Sequence, residues 1–255
     1  MAREKLAGLS KEPPRCGSNS HRMSLLFIVE ETDDFLVLNK PGELVCHPTK
    51  GDYTSSLIGR VRHYLGDQVE ARFINRLDRE TSGLVVLSKG DAYHKSLYHQ
   101  MEKSRKLYWA VVEGQPEGEA GTIDQPLGKD EVSPVVVKQA VRPDGRASRT
   151  HWKVLARAHD CSLLEVELET GRMHQIRVHM QWLGHPVVGD KLYGPDETLY
   201  LELAEHSWTN RLRAALPTER HLLSSTEIIT EHHHWRASPP EDLLRYREWG
   251  VTFEA

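Results

Sequence analysis

The run Asn75-Arg76-Leu77-Asp78-Arg79-Glu80-Thr81-Ser82-Gly83-Leu84-Val85-Val86-Leu87 sets one carboxylate between two guanidinium groups, in a polar turn that leads into an apolar strand. A carboxylate near Arg76 and Arg79 has its charged form favoured, so Asp78 is expected to stay ionised at neutral pH. That state suits a nucleophile or a general base and does not suit a general acid. Thr81, Ser82 and Gly83 supply hydroxyl and backbone donors that pin the turn. A turn aspartate salt-bridged by its neighbours for structure alone is the competing explanation of the same spacing.

A second group is Gly171-Arg172-Met173-His174-Gln175-Ile176-Arg177-Val178-His179. If the chain is helical from Met173, His174 and Arg177 share a face, with Gln181 one further turn along. A strand running into a helix N-terminus presents free backbone N–H groups and a positive dipole end, which favour a phosphate. His174 and His179 are five apart, not four, so they do not form the usual metal-binding pair on one helical face. The plain alternative is a basic, solvated helix. The third group is Lys106-Leu107-Tyr108-Trp109-Ala110-Val111-Val112. Strand alternation puts Tyr108 on the face opposite Leu107 and Trp109, where an aromatic ring over a basic cleft can stack on a nucleobase. A core or rim tyrosine is the commoner fate. His232-His233-His234 beside Trp235 reads as a polar surface loop.

The elements that must position these groups can be read from periodicity. Phe27–Glu30 and Phe35–Asn39 flank the turn Glu31-Thr32-Asp33-Asp34 and form a hairpin closed by Lys40-Pro41-Gly42. Apolar residues at 57, 58, 61, 64 and 65 predict a helix over Thr54–Leu65, with Thr54 or Ser55 as N-cap and Gly66 as the stop. Phe73-Ile74 is a short strand entering the Asp78 turn, and Leu84–Leu87 is the strand leaving it. A helix capped by Asp91 is predicted over Asp91–Ser104, then a strand over Lys106–Glu113 that ends at Gly114. Residues 115–149 read as a β-rich excursion. Leu164, Val166 and Leu168 alternate with Glu165, Glu167 and Glu169, which predicts a half-buried strand. Helices are predicted over Met173–Leu183, Asp196–His206, Arg211–Leu216 and Pro240–Trp249, with a strand over Leu222–Ile229. Strands and helices mix without strict alternation, so the expected class is α+β rather than a doubly wound parallel sheet. Residues 1–22, rich in Lys, Arg, Pro, Ser and Gly, read as a flexible tail ahead of one domain over 23–255.

With 255 residues, 38% hydrophobic and 27% charged, the chain can bury a sizeable core. No apolar run approaches the roughly 20 residues of a membrane helix, and no apolar h-region opens the chain, so a cytoplasmic protein is expected. Three widely spaced cysteines support neither a disulfide framework nor a structural zinc site. A formal net charge of −4 does not announce nucleic-acid binding, so any basic face must be local. Such bias exists: Gly171–Gly189 carries Arg172, Arg177, His174, His179 and His185 without one Asp or Glu.

Lys40-Pro41-Gly42, Arg76-Leu77-Asp78-x-x-Thr81-Ser82-Gly83-Leu84, Lys106-x-Tyr108-x-Ala110-x-Val112-x-Gly114, Thr170-Gly171-Arg172-x-His174-Gln175-Ile176-Arg177-Val178-His179 and Gly184-His185-Pro186-x-x-Gly189-Asp190-x-x-Tyr193-Gly194 occur in that order. Together they make the chain resemble an RNA pseudouridine synthase of the RluA family over residues 25 to 236. The second and fourth motifs in series are the specific ones. One departure stands out: the family usually has His before Arg-Leu-Asp, and here it is Asn75. Residues 1–22 are too short for the small accessory RNA-binding domain that many relatives carry.

The resemblance implies a central mixed, mostly antiparallel sheet in two lobes flanked by helices and loops, with a catalytic cleft across it. It implies conversion of uridine in a structured ribosomal or transfer RNA to pseudouridine, with no cofactor and no metal, because the product is an isomer. Asp78 would be the catalytic carboxylate, as nucleophile or by removing a sugar proton. Arg177 would pair with Asp78, and Tyr108 would stack on the uracil. Arg76 would sit beside the flipped nucleotide, with Ile176 and Val178 walling the pocket. Arg79, Thr81, Arg172, His174 and Gln175 are further implied contacts to RNA. A catalytically silent RNA-binding protein on the same scaffold, and a glycosylase that stops at bond cleavage, are the alternatives. A monomer is the default, and no membrane partner is expected.

Overall fold

The computed structural model describes residues 26–48, 55–66 and 68–247. The expected flexible tail over 1–22 lies outside them. The first hairpin is β1 (Ile28–Glu31) against β2 (Phe35–Lys40). Then follow α1 (Leu57–Leu65), β3 (Ala71–Phe73), β4 (Ser82–Lys89), α2 (His94–Glu102) and β5 (Arg105–Glu113). The β-rich excursion contains β6 (Ala120–Asp124), β7 (Leu127–Lys129) and β8 (Gln139–Val141). It leads into β9 (Arg149–Arg157), β10 (Cys161–Leu168), α3 (Gln175–Trp182), α4 (Thr198–His206) and α5 (Asn210–Ala215). The last elements are β11 (Leu223–Ile229), β12 (His234–Arg236) and α6 (Glu241–Leu244).

Ten strands form one sheet in the order β1-β2-β4-β11-β5-β10-β9-β6, with β12 beside β11 and β3 beside β4. Among the described strands all pairings are antiparallel except β4 with β11, which is parallel and spans only Ser82–Ser224 and Gly83–Ser225. That short seam divides the sheet into an N-terminal and a C-terminal half. Each half is packed on both faces. Leu36, Leu38, Val85 and Leu87 meet Leu57, Ile58 and Val61 of α1, while Phe35, Val37, Leu84 and Val86 meet Leu97 and Met101 of α2. In the other half, β5 alternates as its sequence predicts. Tyr108, Ala110 and Val112 pack with Ile176 and Met180 of α3, and Trp109 and Val111 pack on the opposite face with Leu243 of α6.

The seam needs a glycine. Gly83 has φ +107, and a Cβ there would lie 2.1 Å from the Ser225 carbonyl oxygen. Any side chain would push β11 off β4 one turn after Asp78.

Several expected boundaries move. Ser56, not Thr54 or Ser55, caps α1, its Oγ accepting the Gly59 N–H at 3.3 Å. Asp91 does not cap α2; the helix opens three residues later, without a side-chain cap, and the exposed Asp91 carboxylate pairs with Arg72. The helix expected from Met173 begins at Gln175, because His174 is left-handed at φ 56, ψ 18. It is not a basic solvated helix: Gln175 through Met180 are all buried. The His232–His234 segment is not a simple loop, since His234 opens β12 and His233 stacks on the buried Trp235 at 4.8 Å. The last helix is described only as Glu241–Leu244.

Candidate active site

Asp78 sits on the loop between β3 and β4, where the two halves of the sheet meet. Side chains fix the path of that loop by bonding its backbone. Asn75 Nδ2 donates to the Leu84 carbonyl at 3.1 Å, and its Oδ1 accepts the Val86 N–H at 2.8 Å. Asn75 therefore acts as one more rung of the sheet, which accounts for an amide at this position. Lys40 is fully buried, and its Nζ donates to the carbonyls of Pro41, Leu44 and Arg79 at 2.9, 2.9 and 3.0 Å. Burial pushes the Lys40 ammonium down to about 8, against the attraction of Cys46 and Asp78. Arg220 donates to the Glu80 carbonyl at 3.1 Å while its fork holds Asp242 at 2.6 Å. The turn Lys40-Pro41-Gly42, silent on function as a sequence signal, thus anchors the loop that carries Asp78.

The side chain of Asp78 is met from the other half of the molecule. Arg177, on α3, donates from Nη1 to Asp78 Oδ2 at 2.8 Å. The same guanidinium grips Asp190 in a bidentate pair, Nε to Oδ2 at 2.6 Å and Nη2 to Oδ1 at 2.8 Å. Asp190 is fully buried, and its Oδ1 also accepts the N–H groups of Leu192 and Tyr193. The Tyr193 ring lies 4.9 Å beneath the Arg177 guanidinium. Arg177 is therefore a fixed cation with every direction specified. Burial pushes the Asp78 carboxyl up, but the groups that face it, Arg177 foremost, together outweigh burial and leave Asp78 below the usual carboxylate range. His174 Nε2 stands 3.8 Å from the same Oδ2. Burial pushes its imidazole down to about 4, so near neutral pH it faces Asp78 as a neutral ring.

The flanking arginines are not what holds Asp78 ionised. Arg76 is exposed on the rim of the cleft, and Arg79 turns away, its Nε donating to the Glu43 carbonyl at 3.3 Å. Successive side chains on an extended turn diverge, so neighbours in sequence need not be neighbours in space.

An open cleft with an interior of about 130 Å³ gathers Asp78, Tyr108, Arg177, Arg76, Thr81, Arg172, His174, Gln175 and Ile176, with Leu77, Leu168 and Leu223 as apolar walls. Two expected members are not brought there. Arg79 lines a separate cavity beside Trp208, and Val178 packs on the far side of α3 against Leu192 and Tyr193. Others arrive with their polar atoms already engaged. Thr81 Oγ1 and His221 Nε2 share a hydrogen bond of 2.8 Å. The Gln175 amide accepts from Thr170 Oγ1 and the Arg172 N–H and donates to Thr150 Oγ1 and the Arg149 carbonyl. It ties the turn before α3 to β9. Burial pushes the Tyr108 phenol up to about 12, so the hydroxyl keeps its proton near neutral pH.

Asp190, Tyr193 and Lys40 were not singled out from the sequence as site residues. All three stand in the motifs that carry the family resemblance, and Asp190 is also the first acid after the acid-free stretch Gly171–Gly189, so the signal was present without a role attached. Among the described residues, no group of three or more His, Cys, Asp or Glu side chains gathers to hold a metal, and no helix is long and apolar enough to cross a membrane.

A family model described as RNA pseudouridylate synthase matches residues 34–182. An uncharacterized RNA pseudouridine synthase of Chloroflexus aurantiacus is 45% identical over 164 residues, 62% of this chain and 51% of that protein. The ribosomal large subunit pseudouridine synthase D of Haemophilus influenzae is 32% identical over 231 residues, 86% of this chain and 69% of that protein. The chain thus spans about half the length of the first and about two thirds of the second. Among solved structures, human RNA pseudouridylate synthase domain containing 1 shares the fold, with a TM-score of 0.67 and 24% identity over 90% of this chain and 87% of that one.

Proposed function

This chain belongs to the RNA pseudouridylate synthase family, and from that premise we propose that it isomerises uridine in a structured RNA to pseudouridine, with Asp78 as the catalytic carboxylate. The observation that carries the reading is the Asp78–Arg177 contact of 2.8 Å inside the cleft. It supplies a carboxylate ionised at working pH, aimed into an open cleft that an extruded base can enter.

The reaction breaks the bond between the sugar C1′ and uracil N1, turns the ring, and joins C1′ to C5. The proton on C5 leaves and N1 gains one, so atoms balance without a redox partner. Asp78 either attacks the sugar carbon or removes a sugar proton; both routes need the anion that Arg177 maintains. Tyr108 packs its ring against the uracil, and Ile176, Leu168 and Leu223 exclude water around it. Arg76 and Arg172 at the rim meet the flanking phosphates. The target base must leave its stack at a cost of about a few kcal/mol. The catalytic unit is read as residues 23–255. The name of the Haemophilus relative favours ribosomal over transfer RNA as substrate.

Pseudouridine mapping across total RNA from cells with and without the gene tests this. The expected result is one or a few sites, in ribosomal RNA, that vanish with the gene and return with the wild-type chain. An unchanged map, or release of free uracil by the purified protein, overturns the reading.

A further inference from the structure

His174 is one of three non-glycine residues with positive φ among the described residues. A left-handed conformation is unusual for histidine and is held only where surrounding structure enforces it. Here it swings the imidazole out of line with α3 and into the cleft. Nδ1 lies 2.8 Å from the Tyr193 hydroxyl oxygen, and Nε2 lies 3.8 Å from Asp78 Oδ2.

The Tyr193 hydroxyl has one proton and two jobs. Its oxygen accepts the backbone N–H of Gln139, on β8, at 2.9 Å. Its own proton then has His174 Nδ1 as the acceptor within reach. A neutral imidazole that accepts at Nδ1 carries its proton on Nε2. Nε2 therefore presents an N–H, not a lone pair, toward Asp78. The oxygen it faces is the one already taken by Arg177. Asp78 Oδ1 makes no hydrogen bond among the described residues. Tyr193 itself cannot drift, because it is fully buried, its ring supports Arg177 at 4.9 Å, and its backbone N–H is held by Asp190.

We propose that Tyr193 is a positioning residue that fixes His174 as the Nε2–H tautomer, so that the imidazole N–H faces, and Arg177 binds, Asp78 Oδ2 and Oδ1 is left as the reacting oxygen. The opposite tautomer would point a lone pair at a carboxylate and repel it. The role of Oδ1 rests on the proposed isomerase reaction; the tautomer does not. The arrangement also links the β7–β8 hairpin to the site through the Gln139 N–H.

The test is nitrogen-15 NMR of the histidine side chains in the free protein near neutral pH, combined with steady-state kinetics on the RNA found by mapping. Signals lost in His174→Asn identify His174 among the fifteen histidines. Asn tolerates the left-handed backbone, so this variant is expected to keep the fold. In the wild type, Nε2 should appear protonated and Nδ1 as a bare acceptor. In Tyr193→Phe, which keeps the ring under Arg177, the signals should shift toward a mixture of tautomers. For that variant and for His174→Asn, kcat should fall roughly ten- to a hundredfold, the scale of a misplaced reacting group. For Tyr193→Phe, whose side chain lies outside the cleft lining, KM should stay within about twofold. A protonated Nδ1 in the wild type, or wild-type kcat in either variant, overturns the proposal. If Asp78→Asn still forms pseudouridine, the isomerase reading fails on its own, and the tautomer, measured without RNA, is judged separately.

Discussion

The two walls of the cleft are built by different kinds of contact. On the Asp78 wall, side chains bond to backbone: Lys40 to the Arg79 carbonyl, Asn75 to Leu84 and Val86, Arg220 to the Glu80 carbonyl. These bonds fix where the chain runs and leave the Asp78 carboxylate to be met from elsewhere. On the α3 wall, the bonds that reach Asp78 and the groups facing it join side chain to side chain: Arg177 to Asp190 and Asp78, His174 to Tyr193. These fix where charge and protons sit. One wall sets position and the other sets ionisation, and the short parallel seam at Gly83 and Ser225 joins them.

That contrast can be broken from either side. The largest expected effect is on the α3 wall. Asp190→Ala removes one partner of a buried pair whose side chains are 8% and 0% exposed, and should cost about 3–5 kcal/mol of stability by denaturant unfolding. Next comes Lys40→Met, which leaves the buried Leu44 carbonyl and the partly buried carbonyls of Pro41 and Arg79 without this donor. It should cost about 1–3 kcal/mol for each that water cannot reach, and should lower kcat more than RNA affinity. Equal loss of kcat and affinity would mean that Lys40 supports the fold and not the loop.

A pH effect follows from Glu80, which bridges the walls by binding Lys191 and the His221 N–H. Burial pushes its carboxyl up, but His221 and Lys191 outweigh that and bring it down from 4.5 to about 2. A carboxylate lowered on folding contributes stability that is fully present above its unfolded value and lost as pH falls through the folded one. Unfolding midpoints should therefore drop as pH goes from 4.5 toward 2, and Glu80→Gln should flatten that slope. The smallest effect is expected for Arg79→Ala. Its side chain points to a different cavity, so stability should change by no more than about 0.5 kcal/mol and kcat should stay near wild type. A loss comparable to that from altering Arg177 would return the flanking arginines to the role the sequence suggested.

Much of the fold was legible because its signals are local. The first hairpin shows as two apolar runs split by a polar turn, and β5 and β10 follow alternation. The parallel seam was not legible, because Gly83 reads as a turn residue until its partner Ser225, far along the chain, is known. Asp78 was legible locally, as a charge placed just before an apolar strand. Its partner was not: adjacency pointed to Arg76 and Arg79, whereas the pairing with Arg177 crosses 99 positions and came only through family resemblance. The start of α3 was misread because helical periodicity cannot register a left-handed residue at its edge. Lys40 looked like punctuation because its three acceptors are backbone atoms, which carry no sequence signature. Val178 was placed in the pocket beside Ile176, but a helix separates residues two apart by about 200°, and the structure packs Val178 against Tyr193.

The most direct measurement is the single-turnover rate of Asp78→Asn on the mapped RNA, beside its thermal midpoint and RNA affinity. Asparagine keeps the shape and its Oδ1 can still accept the Arg177 hydrogen bond, but it carries no charge. The rate should fall by more than about 10²-fold, with fold and binding retained. An Asp78→Asn protein that converts uridine at the wild-type rate would contradict the account.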